Sequence, residues 1–157
     1  MDCIESVKQD KTCILSLVER KSRTVLLYKI KDQTQASVIQ VLDRLERRLG
    51  SPTFRRCFKS ITVDNSSEFW DWNGLEQSIQ SQQRRTEIYY AHPYSSWERG
   101  SNENMNGFVR YYIPKGSVLK TYTQKAIKQL ACWINQYPRR IHQGKSSARL
   151  IEEALAA

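Results

Sequence analysis

The chain of 157 residues has no C-x-x-C spacing among its cysteines, no apolar stretch approaching a membrane span and no charged–apolar–small leader at its start. Each absence removes a class of protein. Cys3, Cys13, Cys57 and Cys132 make neither a zinc framework nor a disulfide scaffold. Three of the four lie in apolar runs, so they read as reduced core residues of a cytoplasmic protein. Without a spanning segment, no membrane partner is expected. There is no internal repeat or low-complexity segment, and hydrophobic and charged fractions of 39% and 26% exclude a disordered or fibrous chain. The length fits one domain, residues 1–157, large enough to bury a core. Met1-Asp2 falls inside a strand pattern, as in a domain excised from a longer protein.

What is present in excess is positive charge. Lys and Arg total 25 against 16 Asp and Glu, for a net charge of +9 and a pI near 9.5. A polyanionic partner is favoured over an acidic small molecule, although a merely soluble basic protein fits the same charge. The bases cluster at Arg20-Lys21-x-Arg23, at Arg44, Arg47 and Arg48, at Arg55, Arg56 and Lys59, at Arg84-Arg85, and from Arg139 to Arg149. Only the fold can decide whether they share a surface.

Hydrophobic period gives the element order. Asp2 to Lys8, Thr12 to Glu19 and Thr24 to Ile30 read as three strands joined by polar turns, an antiparallel meander. From Thr34 to Leu49 the period becomes helical, with Val38, Val41, Leu42, Leu45 and Leu49 on one face, Thr34 as cap, and Gly50 and Pro52 as the stop. Cys57 to Val63 returns to strand. Strand, helix, strand implies a right-handed crossover and parallel pairing. Ser67 to Gln80 is read as helix or helical turn with Phe69, Trp72, Leu75 and Ile79 buried. Glu87 to Ala91 is a further strand, and His92 to Gly100 a loop. Helices follow from about Asn102, with Met105, Phe108, Val109 and Tyr112 inward, and from Gln124 to Tyr137, with Ile127, Leu130, Ala131 and Ile134 inward. Ser147 is expected to cap a last helix through Ile151 and Leu155.

Two acids close two of these segments. Asp64 ends the run Ile61-Thr62-Val63, and Glu103 sits in the first turn of the helix near Asn102. Strand ends of this kind are where open α/β sheets place their chemistry. The element order is that of the ribonuclease H-like fold: a mixed five-stranded sheet, an antiparallel meander plus parallel strands, flanked by helices. In that fold the first strand runs beside the fourth, so an acid on strand one would face Asp64. Asp2 is the only acid in the first half of that strand. Two Asp and a Glu so arranged can hold two hard cations, Mg²⁺ or Mn²⁺, about 3.5–4 Å apart for in-line attack at phosphorus.

Thr62-Val63-Asp64-Asn65, Ser67-Glu68-Phe69, the run His92-Pro93-Tyr94-Ser95-Ser96-Trp97-Glu98-Arg99-Gly100-Ser101-Asn102-Glu103-Asn104 and Pro114-Lys115-Gly116 resemble the integrase core of bacterial transposases of the IS30 insertion-sequence family. Leu17 to Arg23 and Asn135 to Arg140 fit as well, so the resemblance covers nearly the whole chain. Retroviral integrases are similar at greater distance, through Gly100-x-x-Glu103. The resemblance implies a catalytic and metal-binding triad of Asp2, Asp64 and Glu103, two divalent ions, hydrolysis of a phosphodiester at the element's end, and attack of the freed 3′-hydroxyl on target DNA. It also implies transposon-end and target DNA as partners, a bacterial cytoplasmic setting, and a homo-oligomer when assembled on DNA.

Three features depart from the family pattern. The 38 residues between Asp64 and Glu103 exceed the usual gap, with the excess near Gln77 to Arg85. Ser66 stands where Gly is usual. The upstream helix-turn-helix region has no counterpart in this sequence, so the chain alone should bind element ends poorly.

Each candidate also has a plainer reading. Asp64 could cap a helix or turn, and Asp2 could be an exposed acid near the chain's start. Glu98 rivals Glu103 but lies in the loop. Asn102 reads as a cap, whereas Asn104 and Asn106 either face DNA or support Glu103. Tyr94 and Trp97 either stack on unpaired bases or pack the loop. Arg110 and Lys115 are candidate phosphate contacts against a default of solvated charge. His92 reads as a turn residue, and His142 belongs to no motif. The alternatives at the level of function are a catalytically inactive DNA-binding remnant and a ribonuclease H-type nuclease.

Overall fold

The computed structural model of the protein describes residues 1–92 and 100–156, without the side chain of Leu155. Tyr94, Trp97 and Glu98 therefore lie outside the described residues. The strands β1 (Asp2–Glu5), β2 (Cys13–Val18) and β3 (Val25–Ile30) form the antiparallel meander, with Asp2 opposite Ser16 and Val18 opposite Val25. A separate parallel pair joins β4 (Ser60–Val63) to β5 (Glu87–Tyr90). The expected five-stranded sheet is thus described as three strands plus two. A hydrogen bond from the Met1 nitrogen to Thr62 O at 2.7 Å links the two ladders.

β2 is buried on both faces, and its alternation divides the core. Cys13, Leu15 and Leu17 face one cluster, with Val38, Val41, Leu42 and Leu45 of α1 (Gln35–Leu49), Phe54 of α2 (Ser51–Cys57), Val63 and Phe69. Ile14 faces the other, with Ile4, Val25 and Leu27, Met105 and Val109 of α4 (Gly100–Tyr112), and Ile127 and Ile134 of α5 (Gln124–Gln136). Helices thus cover both faces of the meander. α5 also covers the outer edge of β3: the Asn135 carboxamide takes Val25 N–H at 2.8 Å and donates to Val25 O at 2.9 Å. That satisfies backbone groups an edge strand would leave open.

Thr34 caps α1 as expected, accepting from Ser37 N–H at 3.3 Å. Gly50, at φ 77°, ends it. Pro52 does more than stop α1. It lies in the first turn of α2, where its missing N–H costs nothing, so a helix occupies part of the expected strand Cys57 to Val63. The segment after Asp64 is also shorter than expected. It breaks into a 3₁₀ turn (Ser67–Phe69) and α3 (Trp72–Glu76), which Asp71 caps by accepting from Gly74 N–H at 2.9 Å. Phe69 and Leu75 are buried, but Trp72 and Ile79 are exposed. Tyr112 is likewise exposed, because α4 ends there and only Ile113 turns inward. In α6 (Ser147–Ala156) the capping contact comes one residue earlier than expected, from Arg149 N–H to Ser146 Oγ at 3.2 Å. Ser147 is buried and accepts from Arg139 Nε at 3.1 Å.

The four thiols are unpaired with one another, as expected, but they do not share one environment. Cys13 is buried and Cys3 half-buried; Cys57 and Cys132 are exposed, since the apolar runs that hold them are helical there and present a solvent face. A hydrogen bond with Cys13, together with burial, pushes the Cys3 thiol well above the usual range.

Candidate active site

Two of the three predicted acids are brought together by the backbone. Met1 pairs with Thr62, so Asp2 and Asp64 stand one and two residues from the same interstrand hydrogen bond. Asp2 is half-buried; its Oδ1 accepts from Cys3 N–H at 3.0 Å and its Oδ2 from Asn106 Nδ2 at 2.6 Å. Asp64, also half-buried, accepts from Ser66 N–H at 3.1 Å. Ser66 does this at φ −72°, an ordinary backbone angle, so the turn after Asp64 does not require glycine.

Helix α4 supplies the third acid and the ties that hold it to β1. Residues 102, 106 and 110 recur at four-residue steps and so share one side of the helix. Asn102 donates to Met1 O at 3.4 Å, Asn106 to Asp2 Oδ2, and Arg110 Nη2 to Glu5 O at 2.8 Å. Asn102 is therefore inside the helix and serves as a strap rather than a cap. Glu103 lies in the first turn of α4, beside this stripe, and is exposed. A carboxylate in that turn meets the positive end of the helix dipole. Asn104 and Lys115 are exposed, as is His92.

The donor set is all oxygen, which suits a hard divalent cation. Among the described residues, however, no three His, Cys, Asp or Glu side chains are grouped to hold a metal ion. Asn106 donates to Asp2 Oδ2, and its own buried Oδ1 has no hydrogen-bond partner. The residues fit a hard cation in donor type, but the described side chains are not gathered around one point.

Basic clusters separated in sequence do converge. A cleft of about 500 Å³ opens beside Met1, lined among others by Arg20, Arg56, Lys59, Thr62 and Asn102. Lys29, Lys31, Arg44 and Arg47 line a second cavity of about 560 Å³. The Arg84-Arg85 pair goes elsewhere. Arg85 is wholly buried, bonded to Asp43 Oδ1 at 2.5 Å and Glu46 Oε2 at 3.5 Å, with Leu75 O and Gly74 O filling its remaining donors at 2.8 and 2.9 Å. Glu46 also accepts from the hydroxyls of Ser51 and Ser78 and from Ile79 N–H. The segment Gln77 to Arg85, read from sequence as a loop insertion, is thus anchored to α1 by a buried charge network. The Arg84-Arg85 pair among polar residues gave no periodic signal for it.

The fold is α/β, with acids at two strand ends and clefts lined in part by bases. Sequence comparison makes this specific. The chain is 39% identical over 153 residues to the "Probable transposase for insertion-like sequence element IS1161" of Streptococcus salivarius, covering 95% of this chain and 40% of that protein. It is 34% identical over 143 residues to transposase InsI of element IS30A from Escherichia coli K12, covering 91% and 35%. The transposase for element IS4351 of Bacteroides fragilis is 32% identical over 133 residues, covering 85% and 38%. No protein-family model matches the chain. The chain belongs to the IS30 family of transposases and spans about two fifths of the length of the curated relatives it matches.

Proposed function

We propose that this chain is the catalytic core of a DNA transposase with a ribonuclease H-like fold, in which Asp2, Asp64 and Glu103 hold Mg²⁺ or Mn²⁺ and cut and join phosphodiesters at insertion-sequence ends. The observation that carries the reading is the bond from Met1 to Thr62, which brings the β1 and β4 acids to one strand junction beside the first turn of α4. Two divalent ions, when bound, supply polarisation of the phosphoryl oxygens and a more acidic attacking water.

The chain's own groups do the positioning. Cys3 N–H and Asn106 Nδ2 fix the Asp2 carboxylate, and Ser66 N–H fixes that of Asp64. The Asn106 amide on Asp2 Oδ2 leaves that carboxylate lone pairs with which it would ligate a metal, as hydrogen-bonded carboxylate ligands do. Arg20, Arg56 and Lys59 in the adjoining cleft are suited to hold the phosphate backbone. Asn104 and Lys115 are exposed and open to DNA.

The test is strand transfer of element-end DNA by the full-length enzyme. Asp64→Asn and Glu103→Gln should each abolish it with the fold intact; undiminished joining by either variant would refute the assignment.

A further inference from the structure

The chain's charge is unevenly divided. Residues 104–151 carry 9 of the 25 Lys and Arg and none of the 16 Asp and Glu, so the whole formal charge of +9 resides there and the other 16 bases balance the 16 acids. This acid-free segment spans most of α4, all of α5 and the approach to α6.

The same segment exposes aromatic rings. Tyr111 is 80% exposed, Tyr112 42%, Trp133 39% and Tyr137 44%. They form one connected row across α4 and α5: Tyr111 to Tyr112 at 5.2 Å between ring centroids, Tyr112 to Trp133 at 4.4 Å, and Trp133 to Tyr137 at 5.3 Å. Large rings in contact with one another and with water form a patch, which calls for an occupant in a way that scattered exposed rings do not. Lys125 and Lys128 are exposed on the same helix as Trp133.

We propose that this face, distinct from the strand-end acids, binds single-stranded DNA, with unpaired bases stacking on Tyr111 and Trp133 and the phosphate backbone held by the acid-free segment's positive charge, Lys125 on the outward side of α5 included. Bases within a duplex are already stacked and offer no face to these rings, whereas unpaired bases stack on exposed aromatics without sequence preference. A second copy of the chain is a poor occupant, since it would set one acid-free, net positive segment against another.

The experiment is anisotropy binding of the 157-residue chain, in EDTA, to labelled oligothymidine of about 16 nucleotides and to a duplex of equal length. Tyr111 is too exposed to support folding, so Tyr111→Ala alone is a sound probe. It should weaken single-strand binding about fivefold or more, and Tyr111→Ala with Trp133→Ala about tenfold or more, with duplex binding little changed. Lys125→Gln should lower the log–log salt slope by about 0.7. Unchanged oligothymidine affinity in the aromatic variants, equal losses for single strand and duplex, or dissociation of a protein dimer on substitution would each overturn the proposal. Because binding is read without metal, its failure leaves the triad assignment standing, and failure of the triad leaves this face untouched.

Discussion

Asn106 Nδ2 donates to Asp2 Oδ2 at 2.6 Å, and this bond joins residues 104 positions apart in the chain. With Asn102 on Met1 O and Arg110 on Glu5 O, it straps one side of α4 along β1. Asparagine is a poor helix former, so its density here goes against local propensity and is explained by tertiary contact. The helix that carries Glu103 is held in place by the strand that carries Asp2.

Asn106→Ala should therefore destabilise the domain by about 1–2 kcal/mol. A hydrogen bond to a carboxylate contributes about 1.5–3 kcal/mol, partly offset here because the unpartnered Oδ1 is removed as well. Urea unfolding measures this; an unchanged midpoint would show that the strap contributes nothing.

Arg85→Met should be far more damaging, by about 3–5 kcal/mol, because it leaves Glu46 buried without its cation. Adding Glu46→Gln to Arg85→Met should recover part of the loss. If the double variant were less stable than Arg85→Met by the full effect of Glu46→Gln alone, the two groups would not be coupled.

Acid should destabilise the fold along the same network. Burial tends to raise the Glu46 carboxyl, but hydrogen bonds from Ser78, Ser51 and Ile79 N–H and the Arg85 charge outweigh it and hold Glu46 below its ordinary value of 4.5. A carboxyl lowered on folding gives stability that is complete above its unfolded value and is lost as pH falls through the folded one. Asp32 and Glu19 are lowered as well, by hydrogen bonds from Ser37 and Thr34 and, against burial, from Ser22 and Lys21. The urea midpoint should be flat from neutral pH to about 5 and fall below about 4.5, less steeply in Glu46→Gln. A midpoint that rises on acidification would contradict this.

Much of this architecture was legible from residue spacing. Alternation in the meander, the helical stripe of Val38, Val41, Leu42 and Leu45, and the Thr34 cap are local signals, and each appears where it was read. The meeting of the start of β1 with β4 was legible for another reason: strand order implies which strands adjoin, and the Met1–Thr62 bond lies there. What escaped the sequence was non-local or ambiguous. Pro52 can end one helix or open the next; here it opens α2, whose Phe54 is buried in the core. Arg85 looked like solvated charge until its acids on α1 were known. Asn106 was read either as facing DNA or as supporting Glu103; its partner is Asp2.

The central claim is tested most directly by a crystal structure soaked with Mn²⁺, with the ions located by anomalous scattering. The account predicts manganese at the junction of β1 and β4, ligated by Asp2, Asp64 and Glu103, and no such ion in Asp64→Asn. Manganese bound elsewhere at saturation, with no ion at Asp64, would contradict it.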